Sequence, residues 1–310
     1  MCGIVGYLDK TGDGRGRLGQ TMLGLLSALG CRGPDSAGVA MYGDPRGLVL
    51  RIKVGDGDGD AALAERVAAE IRAGASVLHA DRRGPYLRVV VAEGPDPLGL
   101  ARAVEGLDAA VEVVSLGRRL EVVKQVGSPE NLDRTFGISR FQGTHGIGHA
   151  RLSTESIVDL SHSQPFWAHG LPDLAVAHNG HITNYHKMRR RYETQGVRFY
   201  TGNDSEIIGV YLADRMARGD AFEDALQASL RDLDGSFCYV AATADGLGYA
   251  KDPFGLKPLM VADTDAFVAI ATEEVALRRA LGTGFDAVEP GARRSHAWRL
   301  PALAAPAAKP

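Results

Sequence analysis

The chain opens Met1-Cys2-Gly3-Ile4-Val5-Gly6-Tyr7-Leu8, and its second residue decides how the rest is read. Methionine aminopeptidases remove Met1 when the next side chain is small, as that of Cys is. The mature chain would then begin with a residue that carries both a thiol and a free α-amine. Such an amine has a pKa of about 7.7–8.0 and serves as a base near neutral pH. A thiol of pKa about 8.5 beside it can give up its proton to that amine. One residue would supply nucleophile and general base together. The alternative is an ordinary cysteine at the head of a first strand, since residues 3–8 read as a short buried strand.

Working outward, residues 16–29 place Leu18, Met22, Leu25, Leu26 and Leu29 at helical spacing, so one face is core. Residues 37–42 and 48–54 read as strands. Gly55-Asp-Gly-Asp-Gly-Asp60 resembles the start of a calcium loop, but Ala61 stands where such a loop needs Gly and Val67 where it needs a bidentate Glu. It reads as a solvated turn before a helix at 60–73. Strands at 87–92, 110–115 and 119–124 and a helix at 96–106 complete a small α/β segment between about 46 and 140. From residue 145 the pattern is denser. Strands are expected at 145–152 and 174–179, helices near 182–195, 204–218 and 220–233, four short β segments between 236 and 271, and a helix near 273–281. Two groups of strands with paired helices fit a layered α/β protein built on antiparallel sheets.

Size and charge narrow the class. The 310 residues are 45% hydrophobic and 24% charged, ordinary values for a soluble globular protein. Thirty-five Lys and Arg against 38 Asp and Glu give a net charge of −3, which offers no electrostatic case for a nucleic-acid surface. No apolar run approaches the roughly 20 residues of a membrane span, and the N-terminus lacks the pattern of a secretory signal. The three cysteines, Cys2, Cys31 and Cys238, argue against a disulfide framework and for a reducing cytoplasm. The Ala- and Pro-rich tail 301–310 is expected to be disordered.

Five segments mix Gly with polar residues that cores rarely need: Arg32-Gly-Pro-Asp-Ser-Ala-Gly38, Gly148-His-Ala-Arg-Leu-Ser-Thr154, Ala177-His-Asn-Gly-His-Ile-Thr-Asn184, Asn203-Asp-Ser-Glu206 and Lys251-Asp-Pro-Phe-Gly-Leu-Lys-Pro258. A thiolate that cleaves a side-chain amide needs donors at the developing oxyanion. Asn179 with Gly180 suits this, because a backbone N–H can approach closely where no Cβ intervenes. An amino-acid substrate also needs a fork-shaped cation for its α-carboxylate, for which Arg151 is the candidate. Asp204 is a candidate for the α-ammonium, with helix N-capping as its alternative role.

These motifs, in this order, resemble the class II glutamine amidotransferases of the N-terminal-nucleophile type. The resemblance covers residues 2–44 and about 142–291. It implies a four-layer αββα fold with two stacked antiparallel sheets, here one domain over 2–300 interrupted by an α/β insertion at about 46–140. It implies Cys2 as nucleophile, Asn179 and Gly180 as the oxyanion hole, and Arg151, Thr154, His178 and Asp204 as substrate-binding residues, with Arg32 supporting the N-terminus. Leu152 stands where many members carry a Trp that closes a loop over glutamine, and Pro34 replaces a frequent Tyr.

Seven of the nine histidines lie between 145 and 186, but their spacing fits no zinc motif. The family chemistry requires no metal or nucleotide, and no ATP-pyrophosphatase, phosphoribosyl or sugar-isomerase motif follows. The acceptor of the nitrogen is therefore expected on another polypeptide, or absent. The stretches Asp159–Trp167 and Ala177–His186 are similar to stand-alone amidotransferase subunits of glutamate-synthase-like complexes, such as the small subunit of N-methylglutamate synthase. That similarity implies synthase partners, one of them carrying FMN, with no cofactor in this chain. The competing expectations are a non-catalytic regulatory subunit of the same fold, a subunit specific for γ-glutamyl amides, and a free-standing glutaminase.

Overall fold

The computed structural model describes residues 2–12, 15–45, 47–55, 60–94, 96–152 and 159–300, without the side chains of Arg15 and Cys31. In chain order the strands are β1 Gly3–Asp9, β2 Ser36–Tyr42, β3 Leu48–Val54, β4 Val77–Arg83, β5 Tyr86–Val91, β6 Val111–Gly117, β7 Leu120–Val126, β8 His145–Arg151, β9 Phe166–Trp167, β10 Ala175–Ile182, β11 Gly235–Thr243, β12 Gly246–Lys251, β13 Met260–Asp263, β14 Phe267–Ala271 and β15 Arg294–Arg299. The helices are α1 Leu18–Ala28, α2 Ala61–Gly74, α3 Pro97–Glu105, α4 Pro129–Phe136, α5 Tyr185–Thr194, α6 Ser205–Ala217, α7 Phe222–Asp232 and α8 Glu274–Leu281.

The first sheet has the order β13-β14-β1-β8-β2-β7, the second β15-β12-β11-β10-β9, and the third β4-β5-β3-β6. All strand pairings are antiparallel. Period-2 alternation explains the layering. In the second sheet Ala175, Ala177, Cys238, Val240 and Ala242 join the core shared with the first sheet. Their neighbours Val176, Phe237, Tyr239 and Ala241 pack instead with Ile207, Ile208, Leu226 and Leu230 of α6 and α7. On the far side α1 and α8 pack on each other and on the first sheet, burying Leu18, Met22, Leu25, Leu26 and Leu277. Each such side chain removed from water contributes about 1.5–3 kcal/mol. The layers therefore run helix, sheet, sheet, helix, as the motifs implied. Polar ties cross between the sheets: Tyr42 Oη donates to Ala242 O at 2.6 Å, and His145 Nε2 bonds Thr243 O at 2.7 Å.

The segment read as an insertion divides differently. Strands β3 to β6 form the third sheet, with α2 and α3 packed on it. Strand β7 instead pairs along its whole length with β2 and is the edge of the first sheet, and α4 packs on α1. The difference arises because pairing partners are set by tertiary packing, which periodicity does not report. Strands β4 and β15 escaped the sequence reading because they are edge strands with mostly polar, exposed side chains. Asp60 caps α2 by accepting from Ala62 N and Leu63 N, and Asp96 caps α3 ahead of Pro97. Most of the stretch read as a solvated turn, 56–59, and the tail lie outside the described residues. Among the described residues no helix is long and apolar enough to cross a membrane.

One ion cluster ties the third sheet to the first. Buried Glu121 on β7 accepts from Arg88 Nε and Nη2, both at 2.8 Å, and from Arg51 Nη2 at 2.8 Å. Burial alone would raise this carboxyl, but the hydrogen bonds from Arg88 and the charges of both arginines outweigh it and hold the pKa at about 2. A depressed carboxylate contributes stability above its ordinary pKa of about 4.3, and that stability is lost as pH falls towards the folded value. Glu121→Ala should cost about 3 kcal/mol by stranding the Arg51 guanidinium and leaving Arg88 with the Asp81 carboxylate at 4.0 Å. Denaturant unfolding at neutral pH checks the loss, and the gap from wild type should shrink below pH about 4.

Candidate active site

Cys2 immediately precedes β1, the middle of the first sheet. Its thiol donates to Leu152 O at 3.6 Å. What holds it there is the start of β1. Ile4 N donates to Thr272 Oγ1 at 2.8 Å, and Thr272 N donates back to Ile4 O at 3.0 Å. Thr272 precedes Glu273, which pairs with Arg32. Arg32 thus reaches the N-terminus through Glu273, just ahead of α8, and Thr272, and it does not line the cleft.

Opposite Cys2 runs β10 of the second sheet. Its open edge follows from antiparallel geometry, in which both backbone groups of a residue point to one side. Phe237 faces Gly180 across the β10–β11 pair, yet Phe237 N donates to Asp252 Oδ2 at 2.9 Å and Phe237 O accepts from Asp252 N at 3.0 Å. Gly180 is therefore not bonded to Phe237, and its backbone groups turn away from β11. On that outer side β9 covers β10 at Ala175 and Val176 alone. Two side chains occupy the alternate positions beyond it. Gln164 Oε1 accepts from His178 N at 2.7 Å, and Gln164 Nε2 donates to His178 O at 3.1 Å. Asp204 Oδ2 accepts from Ile182 N at 2.8 Å. Gly180 lies between these two occupied positions. It has φ +129°, and a Cβ there would stand 2.2 Å from Ser236 O, so no other residue fits without strain. Gly38 is constrained likewise, since a Cβ would meet Gln164 O at 2.2 Å.

Beside Gly180, Asn179 Nδ2 donates to Cys2 O at 3.1 Å. A carbonyl can only accept, so the amide is oriented with its nitrogen toward Cys2. Asn179 Oδ1 then faces His149 Nε2 at 3.3 Å, and that ring nitrogen must carry the proton. Burial pushes His149 down to about 3, so it is a neutral donor that fixes the direction of the Asn179 amide. Burial also pushes His178 down, against the opposing charge of Asp204. Its Nδ1 bonds Ser205 Oγ at 3.0 Å, and its Nε2 is buried without a hydrogen-bond partner. Burial pushes the Cys238 thiol up to about 12, which keeps it protonated and unreactive.

Cys2, Arg151, His178, Asn179, Gly180 and Asp204 all line one cleft of about 660 Å³. Arg151 is 6% exposed and donates from Nη1 to His162 O at 3.0 Å. Asp204 makes no side-chain cap on α6. Asn203 Oδ1 takes Ser205 N instead, and Glu206 accepts from Tyr200 N and Thr201 N. The Asp204 carboxylate is thereby directed at β10, with Oδ2 3.6 Å from His181 Nδ1. Thr154 lies outside the described residues. Residues given no role by the sequence reading also shape the cleft: His162 and Gln164 line it, while Thr272 supports it from behind. The weak signal for Thr272 was a hydroxyl directly before a helix start.

A relative from Methanothermobacter thermautotrophicus, assigned as a glutamine amidotransferase, is 37% identical over 304 residues, covering 94% of this chain and 98% of its own. The chain belongs to the glutamine amidotransferase family. The family described as "Glutamine amidotransferase domain" matches residues 149–279, which include the β8, β10 and α6 parts of the cleft. The amidotransferase-like protein GlxB of Rhizobium meliloti is 35% identical over 280 residues, covering 89% of this chain and 91% of its own. Among solved structures, the glutamine phosphoribosylpyrophosphate amidotransferase from B. subtilis superposes with a TM-score of 0.60 at 18% identity, over 96% of this amidotransferase chain and 49% of that one. That likeness shows a shared fold.

Proposed function

We propose that this amidotransferase hydrolyses the side-chain amide of glutamine through a cysteinyl thioester and passes the nitrogen to a partner synthase. The observation that carries this reading is the open edge of β10, with Asn179 and Gly180 beside Cys2 in one cleft. With Met1 removed, the Cys2 amine takes the thiol proton and the thiolate attacks Cδ of glutamine. The oxyanion is received by the Asn179 amide and the Gly180 N–H. The C–N bond then breaks, the amine gives its proton to the leaving nitrogen, and ammonia departs. Water adds to the γ-glutamyl thioester, releasing glutamate and restoring the thiol. Arg151, with Thr154, binds the α-carboxylate, and Asp204, beside His178, binds the α-ammonium.

The similarity to stand-alone subunits supports a glutamate-synthase-like complex, such as N-methylglutamate synthase, as the destination. In that complex the FMN belongs to a partner subunit and the chemistry is cytoplasmic. Intact mass of the purified chain, before and after the glutamine-directed electrophile diazo-oxo-norleucine, tests the centre. The expected result is loss of Met1 and one adduct, mapped to Cys2. Retained Met1 would contradict the reading, because an acylated nitrogen cannot act as the base. Added synthase subunits should raise glutamine hydrolysis, whereas a free-standing glutaminase would show no change.

A further inference from the structure

The wall of the cleft that carries Arg151 is held from outside by the third sheet. Residues 159–163 form a compact turn: His162 N donates to Asp159 Oδ1 at 2.7 Å, and Ser163 Oγ donates to Asp159 O at 2.6 Å. One end of the turn is fixed to β10 through Gln164. The other anchor comes from the third sheet. Ser161 Oγ donates to Glu112 Oε2 on β6 at 2.6 Å and accepts from Lys53 Nζ on β3 at 3.1 Å. The carbonyl of the next residue, His162, accepts from Arg151 Nη1 and, at 3.4 Å, from Asn203 Nδ2. The same side grips a second cleft segment, since Tyr200 Oη donates to Glu105 at the end of α3, just ahead of Thr201 and the Asn203–Asp204 pair.

We propose that the third sheet is a positioning element of the carboxylate subsite: Glu112 and Lys53 hold Ser161, and through it the His162 carbonyl that aims the Arg151 guanidinium. The proposal rests on the reading of Arg151 given above. A guanidinium presents its donors in one rigid plane, so a carbonyl that takes one N–H sets the plane before substrate arrives. Preorganisation of this kind lowers the ordering cost of binding without touching the chemistry at sulfur.

The test is the concentration dependence of Cys2 labelling by diazo-oxo-norleucine, which carries the α-carboxylate and α-amine of glutamine, on the full chain. Ser161→Ala and Glu112→Ala should raise the half-saturating concentration about tenfold, the weight of one hydrogen bond to a charged group. The limiting labelling rate should stay within about twofold, because the nucleophile is untouched. Glu112→Gln keeps an acceptor for the Ser161 hydroxyl and should recover most of the loss. Protection by γ-aminobutyramide, which lacks the α-carboxylate, should be equal in wild type and variants; a merely structural loosening would weaken it too. Ser161→Ala removes a single hydroxyl, so it carries the test if Glu112→Ala fails to fold. Labelled wild type with unchanged half-saturation in the variants, or equal weakening for γ-aminobutyramide, overturns the positioning role alone. A wild-type chain that is not labelled at all overturns the amidotransferase mechanism and this inference with it.

Discussion

Cys2→Ala is expected to abolish glutamine hydrolysis, with a loss on the order of 10⁴-fold or more, as when a nucleophile is removed from a unit that acts together. The fold should survive the change. The thiol's described contact is a long one to Leu152 O, so its removal strands no strongly bonded partner. Strand β1 stays anchored through Ile4 and Thr272. Ammonia release at saturating glutamine, alongside the thermal midpoint, makes the measurement. Hydrolysis that persists with a normal midpoint would remove Cys2 from the mechanism.

Asn179→Ala should lower kcat by about 10²–10³-fold, the usual cost of one oxyanion donor. The KM for glutamine should move far less, because the donor acts on charge that develops after binding. The same substitution also strands His149 Nε2–H, which has Asn179 Oδ1 as its partner. A buried donor without an acceptor costs about 1–3 kcal/mol, so a fall in thermal midpoint should accompany the kinetic loss. Asn179→Asp separates the two effects, because it offers His149 an acceptor but Cys2 no amide donor. It should leave the rate low and recover only part of the stability, because its second oxygen faces the Cys2 carbonyl, which can only accept. If Asp restores the rate, Asn179 is structural rather than an oxyanion donor.

Much of the layered fold was legible because its helices and central strands have clear periods. The core residues of α1 fall at helical spacing, and β10 and β11 alternate between two cores. The elements that escaped are those whose role depends on what lies beside them. Polar β4 and β15 are strands because neighbours pair with them. Strand β7 looks like part of an insertion until β2 claims it. Asp204 precedes an apolar helix, so local sequence favours a cap, yet Asn203 takes the first helical N–H groups, Ser205 N through its side chain and Glu206 N through its carbonyl, and the Asp204 carboxylate turns to β10.

The sequence by itself determined the chemistry that its residue types permit: a cysteine behind a removable methionine, an Asn-Gly pair, an arginine and an acid in ordered motifs. Tertiary structure alone decided which donors face the cleft. The direction of the Gly180 N–H depends on Asp252 occupying Phe237, and the orientation of the Asn179 amide depends on His149, 30 residues away. The setting of Arg151 depends on a carbonyl tied, through Ser161, to a different sheet. Hydrogen bonds are directional and short-ranged, and their partners here are brought together by packing across distant parts of the chain.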